Sequence, residues 1–102
     1  MRPVNRELTD KRREQRIQVG AYLRALREKS GLTQRELAQR IGLTYYTFLS
    51  QIEKGSGTVQ PSLYHRYAEA LGVDLREFTK QMVRSHDPVA YEILFGNGEE
   101  RD

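Results

Sequence analysis

The sequence contains no cysteine, which removes disulfide frameworks and thiol chemistry together. No apolar run is long enough to span a bilayer. The opening residues, MRPVNRELTDKRREQR, hold no apolar stretch of the kind a secretory signal requires. Histidine is scarce, with only His65 and His86, and two scattered imidazoles are too few for a metal site. No carboxylate pair is placed to work with either of them, and "GSG" at 55–57 reads as a turn rather than a phosphate loop after a strand. No strand pattern and no internal repeat occurs. These absences argue against an enzyme, a cofactor or a membrane location, and they fit a cytosolic protein.

What is present is one domain's worth of chain, 102 residues with a formal net charge of +3. That charge is uneven. Residues 1–60 carry twelve Lys or Arg against six Asp or Glu, whereas residues 61–102 carry five against eight. A basic front and an acidic back suggest one face suited to a polyanion, the plain alternative being a solvated mixed-charge surface.

Residues 1 to about 8 read as a loose arm containing Pro3. From about Thr9 the pattern is helical, with Ile17, Val19, Tyr22, Leu23 and Leu26 as the apolar stripe and Gly31 as the stop. "TQRE" at Thr33 to Glu36 is a capping box opening a short second helix, with Leu37, Ala38 and Ile41 inward and Gly42 at its end. A third helix is expected from about Tyr45 to Lys54, stopped by Gly55, with Leu49 and Ile52 toward the core and Phe48 on their flank. After the turn-rich "GSGTVQPS", Pro61 opens a fourth helix with Leu63, Tyr64, Tyr67, Ala68 and Leu71 on its apolar face. "DLRE" at Asp74 to Glu77 starts a fifth, with Leu75, Phe78, Met82 and Val83 apolar. "DPVAYEILFG" reads as a short sixth helix capped by Asp87 and stopped by Gly96, and "NGEERD" as a frayed acidic tail. The chain is therefore all-α. The helices meeting at "IGLT" must turn sharply, which is the helix-turn-helix arrangement whose second helix lies in the DNA major groove.

Residues from about 17 to 83 resemble the phage-repressor-like helix-turn-helix family of lambda repressor, Cro and the XRE-type bacterial regulators. The resemblance is carried by "LREKSGLTQRELAQRIGLT" (Leu26 to Thr44), "FLSQIEKG" (Phe48 to Gly55) and "PSLYHRYAEALGVDLREF" (Pro61 to Phe78). It implies a compact five-helix lambda-repressor-like domain, here with a short extra C-terminal helix. The expected organisation is a basic N-terminal arm or helix extension over 1–16, the helix-turn-helix domain over 17–84, and a C-terminal helix with acidic tail over 85–102. In one respect the chain departs from the pattern: Gly42 and Gly55 stand thirteen residues apart, one more than is usual. The extra residue falls among Leu43, Thr44 and Tyr45, so the recognition-helix register is open by one.

Carried over residue by residue, the resemblance implies base contacts from Tyr46, Thr47, Ser50 and Gln51. The chemistry suits them, since a Gln can pair bidentately with adenine and a Tyr ring can press on a thymine methyl. Phosphate contacts are expected from Gln34, Arg35, Tyr45, Lys54 and Ser56, with the loop amides of Gly55, Ser56 and Gly57 as further candidates. Tyr45 has a second reading, packing against Leu37 or Phe48, and Tyr46 shares it. Arg40 reads as solvated. Arg27 and Glu53 match a partly buried salt bridge and read as structural. The basic run "KRREQR" either extends the first helix or contacts adjacent backbone, and Arg2 and Arg6 could enter a minor groove.

Two functions are compatible with these features. One is a transcriptional regulator of double-stranded DNA, most simply a cytoplasmic, nucleoid-associated repressor on a near-palindromic operator. The other is an antitoxin-like module whose tail binds a protein partner. The tail is short and helix-like, which suits self-association better. Val89, Tyr91, Leu94 and Phe95 either complete the core or meet a symmetry mate in a homodimer. A chain of 102 residues leaves no room for a ligand-sensing domain, so no small-molecule effector is expected.

Overall fold

The computed structural model describes residues 3–96, with side chains from Asp10 onward. Arg2 and the acidic tail "NGEERD" therefore lie outside the described residues, as does the side chain of Arg6.

The first helix, α1, runs unbroken over Pro3–Lys29. From Pro3 on, the loose arm expected before Thr9 is thus helical, and the boundary drawn at residue 16 falls inside α1. Two physical reasons account for this. Proline is pre-shaped for the first helical turn, where its missing N–H would be unsatisfied anyway. The following residues are rich in Arg, Glu, Lys and Gln, whose propensity favours helix, and Val4 and Leu8 stand at helical spacing.

Helix α2 spans Gln34–Ile41 and begins with the expected capping box. Thr33 Oγ1 accepts from the Glu36 amide at 3.1 Å, and Glu36 Oε1 accepts from the Thr33 amide at 2.9 Å. Helix α3 spans Thr47–Glu53, a turn shorter than expected. Pro61 opens a 3₁₀ turn, Pro61–Leu63, and α4 proper follows as Tyr64–Leu71. Helix α5 is Leu75–His86, with the Asp74 carboxylate accepting from the Glu77 amide at 2.9 Å. Asp87 ends α5 and also caps α6, Pro88–Tyr91, by accepting from the Ala90 amide at 3.1 Å. The expected single sixth helix is divided, because Glu92–Gly96 winds wider, as a π-helical turn. Among the described residues no strand occurs, and no helix is long and apolar enough to cross a membrane.

The core is assembled from the inward stripes of five helices, with Leu23, Leu37, Ile41, Leu49 and Phe78 fully enclosed. Each such side chain contributes about 1.5–3 kcal/mol by leaving water. Tyr64 and Tyr67 pack on Phe78, with ring centroids 5.8 and 5.3 Å away. Val59, in the loop before α4, is buried too, and the His86 ring nitrogen Nε2 meets its carbonyl at 3.0 Å. Ile17, expected in the inward stripe, is instead half exposed and lies over Gly55.

Gly20 sets the approach of α1 to α3. A glycine inside a helix costs about 1 kcal/mol against alanine. Here a Cβ would stand 2.5 Å from the Ile52 carbonyl oxygen and 2.6 Å from that of Glu53. Only a residue without a side chain lets α1 lie this close to the end of α3.

Candidate nucleic-acid interface

The turn between α2 and α3 begins at Gly42, whose φ of 93° is a left-handed conformation natural to glycine. Its amide donates to the Ala38 and Gln39 carbonyls at 3.0 and 3.2 Å, and the Leu43 amide donates to Ala38 at 2.9 Å. The first helical carbonyl of α3 belongs to Tyr46, which accepts from Leu49 and Ser50 at 3.0 and 3.2 Å. Tyr46 is therefore the N-cap, one residue after the expected helix start near Tyr45, and it makes no side-chain cap. The extra residue of this turn is spent before the helix starts.

Leu49, Ile52 and Glu53 form the buried side of α3. Thr47, Gln51 and Lys54 are exposed along the opposite edge and Ser50 is half buried beside them. That spacing of three and four residues places them on one face. Tyr46 is 37% exposed, with the Arg35 guanidinium 4.8 Å over its ring. Tyr45 is 74% exposed, which overturns the packing reading against Leu37 or Phe48. The longer turn carries its ring out into solvent. Phe48 packs against the core as expected.

Helix α3 is fixed from behind by a polar cluster. Arg27 donates through Nε to Glu53 Oε2 at 2.6 Å and through Nη2 to Oε1 at 3.0 Å. Its Nη1 reaches the Leu32 carbonyl at 2.8 Å, so one guanidinium ties the end of α1, the α1–α2 turn and the end of α3. The hydrogen bond to Glu53 raises the Arg27 pKa above its ordinary value, while burial opposes the rise. Gln34 Nε2 also donates to Glu53 Oε1, at 3.0 Å. Gln34 thus braces α3 directly from the first residue of α2. The resemblance implies that Gln34 braces the recognition helix; the structure adds that its partner is Glu53, nineteen residues on. Tyr67 is buried nearby, and burial with the Glu53 charge pushes its pKa well above the tyrosine range.

Among the phosphate candidates, Arg35, Lys54 and Ser56 are exposed, as is Arg40. Two of the proposed loop amides are already used inside the fold. Gly55 N–H donates to Ile52 at 3.0 Å and Ser56 N–H to Gln51 at 2.8 Å, closing the end of α3. Ser56 has only its hydroxyl to offer. Among the described residues no three His, Asp or Glu side chains are grouped to hold a metal.

A second exposed surface lies at the other end. α6 packs on α5 and α1 with Pro88 buried, while Val89, Ile93 and Leu94 are 51%, 71% and 63% exposed. Tyr91 and Phe95 are half buried, their rings 5.4 Å apart. Ile93 was not among the expected residues, although it stands four residues after Val89, the spacing that puts two side chains on one helix face.

A family model described as a helix-turn-helix domain matches residues 18–79. The chain is 37% identical over 65 residues to a propionyl-CoA carboxylase regulator of Cereibacter sphaeroides, covering 64% of this chain and 14% of that protein. It is 46% identical over 50 residues to an uncharacterized HTH-type transcriptional regulator of Methanothermobacter thermautotrophicus, covering 49% of this chain and 71% of the other. Of solved structures, the restriction-modification controller protein C.AhdI from Aeromonas hydrophila superposes with a TM-score of 0.59 at 30% identity, over 65% of this chain and 94% of that one. The clp gene regulator ClgR from C. glutamicum superposes with a TM-score of 0.56 at 31% identity, over 70% and 91%.

Proposed function

The chain belongs to the helix-turn-helix domain family of DNA-binding transcriptional regulators, and from that premise we propose that it is a sequence-specific repressor. It binds a near-palindromic operator as a homodimer and blocks the promoter beneath it. One observation carries this reading: Thr47, Gln51 and Lys54 stand exposed along one edge of a helix whose other side is held by Arg27, Gln34 and the core. A short helix presented rigidly in this way is what major-groove readout requires. On this reading Tyr46, Thr47, Ser50 and Gln51 meet base edges, with Gln51 paired to an adenine. Arg35, Lys54, the Ser56 hydroxyl and the second amide hydrogen of Gln34 meet phosphates.

A single α3 covers few base pairs, so two-fold pairing is the economical arrangement. The exposed Val89, Ile93 and Leu94 support α6 as the contact. The relatives' names point to different regulated systems, so the target genes do not follow from likeness.

The test is selection of bound duplexes from a random library. The expected outcome is an enriched motif with two-fold symmetry, bound with a log–log salt slope of roughly −4 to −8. Gln51→Ala should cost about 1–3 kcal/mol on that motif and relax preference at one or two base pairs, with non-specific binding nearly unchanged. Salt-independent binding, or no enriched motif, would refute the proposal.

A further inference from the structure

Tyr45 is the most exposed of the large hydrophobic side chains among the described residues. Its neighbour Tyr46 is the N-cap residue of α3 and lies under the Arg35 guanidinium at 4.8 Å. Tyr45 is twice as exposed, at 74% against 37%. Among the described residues its hydroxyl has no hydrogen-bond partner and its ring no aromatic or cationic neighbour.

The ring is not adrift from the reading edge. An open depression beside it is lined by Leu43, Thr44, Tyr45, Thr47, Phe48 and Gln51. Leu43 and Phe48 are half buried and packed against the core, so the apolar part of the lining is rigid. Thr47 and Gln51 are the exposed polar groups of α3, and Tyr45 completes the wall on the turn side. An apolar floor next to a side-chain amide matches one feature of the major groove. Thymine presents a C5-methyl there, and an adenine beside it presents the N6/N7 pair that a Gln can read.

From this geometry we infer that the depression between Tyr45 and Gln51 is a seat for a thymine 5-methyl group. It makes Tyr45 a specificity-determining residue rather than the phosphate contact expected from the sequence. The inference rests on the DNA-binding reading. It also assigns a use to the extra turn residue, which carries the Tyr45 ring out beside Thr47.

Replacing thymine with uracil deletes only the methyl. The experiment is competition binding on the selected motif, changing each thymine singly to uracil, with the wild type, Tyr45→Ala and Tyr45→Phe. One position per half-site, next to the base pair that responds to Gln51→Ala, should lose affinity by about fourfold on methyl removal, a methyl's share of transfer free energy. Tyr45→Ala should bind the thymine and uracil forms equally, while Tyr45→Phe keeps the discrimination. Thermal melts should match the wild type for both variants, because the side chain is solvent-exposed. If Tyr45→Ala leaves methyl discrimination intact, or weakens all duplexes equally, the inference is overturned. If the wild type prefers a motif yet no thymine shows a methyl effect, the seat alone is refuted. If it prefers no motif, both this inference and the proposed function fall.

Discussion

Arg27→Met cuts the tie between α1 and α3 at its centre. In the wild type the Glu53 carboxylate accepts three hydrogen bonds, two from Arg27 and one from Gln34. Arg27 is 9% exposed and Glu53 8%, so solvent cannot replace what the substitution removes. The variant keeps a buried carboxylate with one amide donor and no counter-charge, beside the buried Tyr67 ring. Stranding one partner of such a pair costs about 3–5 kcal/mol. A domain of this size holds in total about 5–15 kcal/mol, so the loss is a large share of its stability. At about 4–8 °C per kcal/mol, the midpoint of thermal unfolding should fall by about 12 °C or more. Urea unfolding at matched protein concentration checks the free energy directly. The decisive comparison is the double variant Arg27→Met with Glu53→Gln. Removing the stranded charge should restore much of the loss, since a neutral amide can still pair with Gln34. If Arg27→Met costs less than about 1 kcal/mol, or the double variant is less stable than the single one, the cluster is not what fixes α3.

Further outcomes are expected. Gly20→Ala should destabilise by about 2 kcal/mol or more in thermal melts despite its better helix propensity, because its Cβ meets the Ile52 and Glu53 carbonyls at 2.5 and 2.6 Å. Tyr67→Phe should be neutral or stabilising in urea unfolding, since the buried hydroxyl has no hydrogen-bond partner among the described residues. Burial raises the Tyr67 pKa in the folded state. Stability is therefore intact below the unfolded phenol's value near 10 and lost as pH rises above it, an alkaline loss that Tyr67→Phe should reduce. Leu94→Glu, at a site 63% exposed, should leave the fold intact and yield a monomer by light scattering with weaker operator binding. A dimer unchanged by that substitution would place the contact elsewhere.

Much of the scaffold was legible in the sequence because local chemistry declares itself. The Thr33–Glu36 box, the stops at Gly31, Gly42 and Gly55, and the caps at Asp74 and Asp87 act over a few residues and are found in place. The first two turns of α1 were missed because Val4 and Leu8 are the only apolar side chains there besides Pro3, too few to write a period. Gly20 carried a signal that went unread: glycine within an otherwise regular helical pattern asks for a close neighbour. The register of α3 was open because a turn lengthened by one residue can absorb it on either side of Tyr45. The π-helical winding after Tyr91 has no composition of its own. The resemblance supplied the Arg27–Glu53 pair and Gln34 as a brace of α3, and only three-dimensional placement joins Gln34 to Glu53 and leaves Tyr45 exposed.

Helix α3 is held at its far end, where Glu53 is gripped, and left without a side-chain cap at its near end. The residues at the free end, Tyr45 and Thr47, stand outside the core. On the proposed reading, substitutions there would alter what is read at almost no cost to folding, whereas a change at Glu53 puts the whole domain at risk. If those residues read the operator as proposed, descendants of this sequence would acquire new operators by single steps through folded, expressible intermediates, with no compensating change elsewhere.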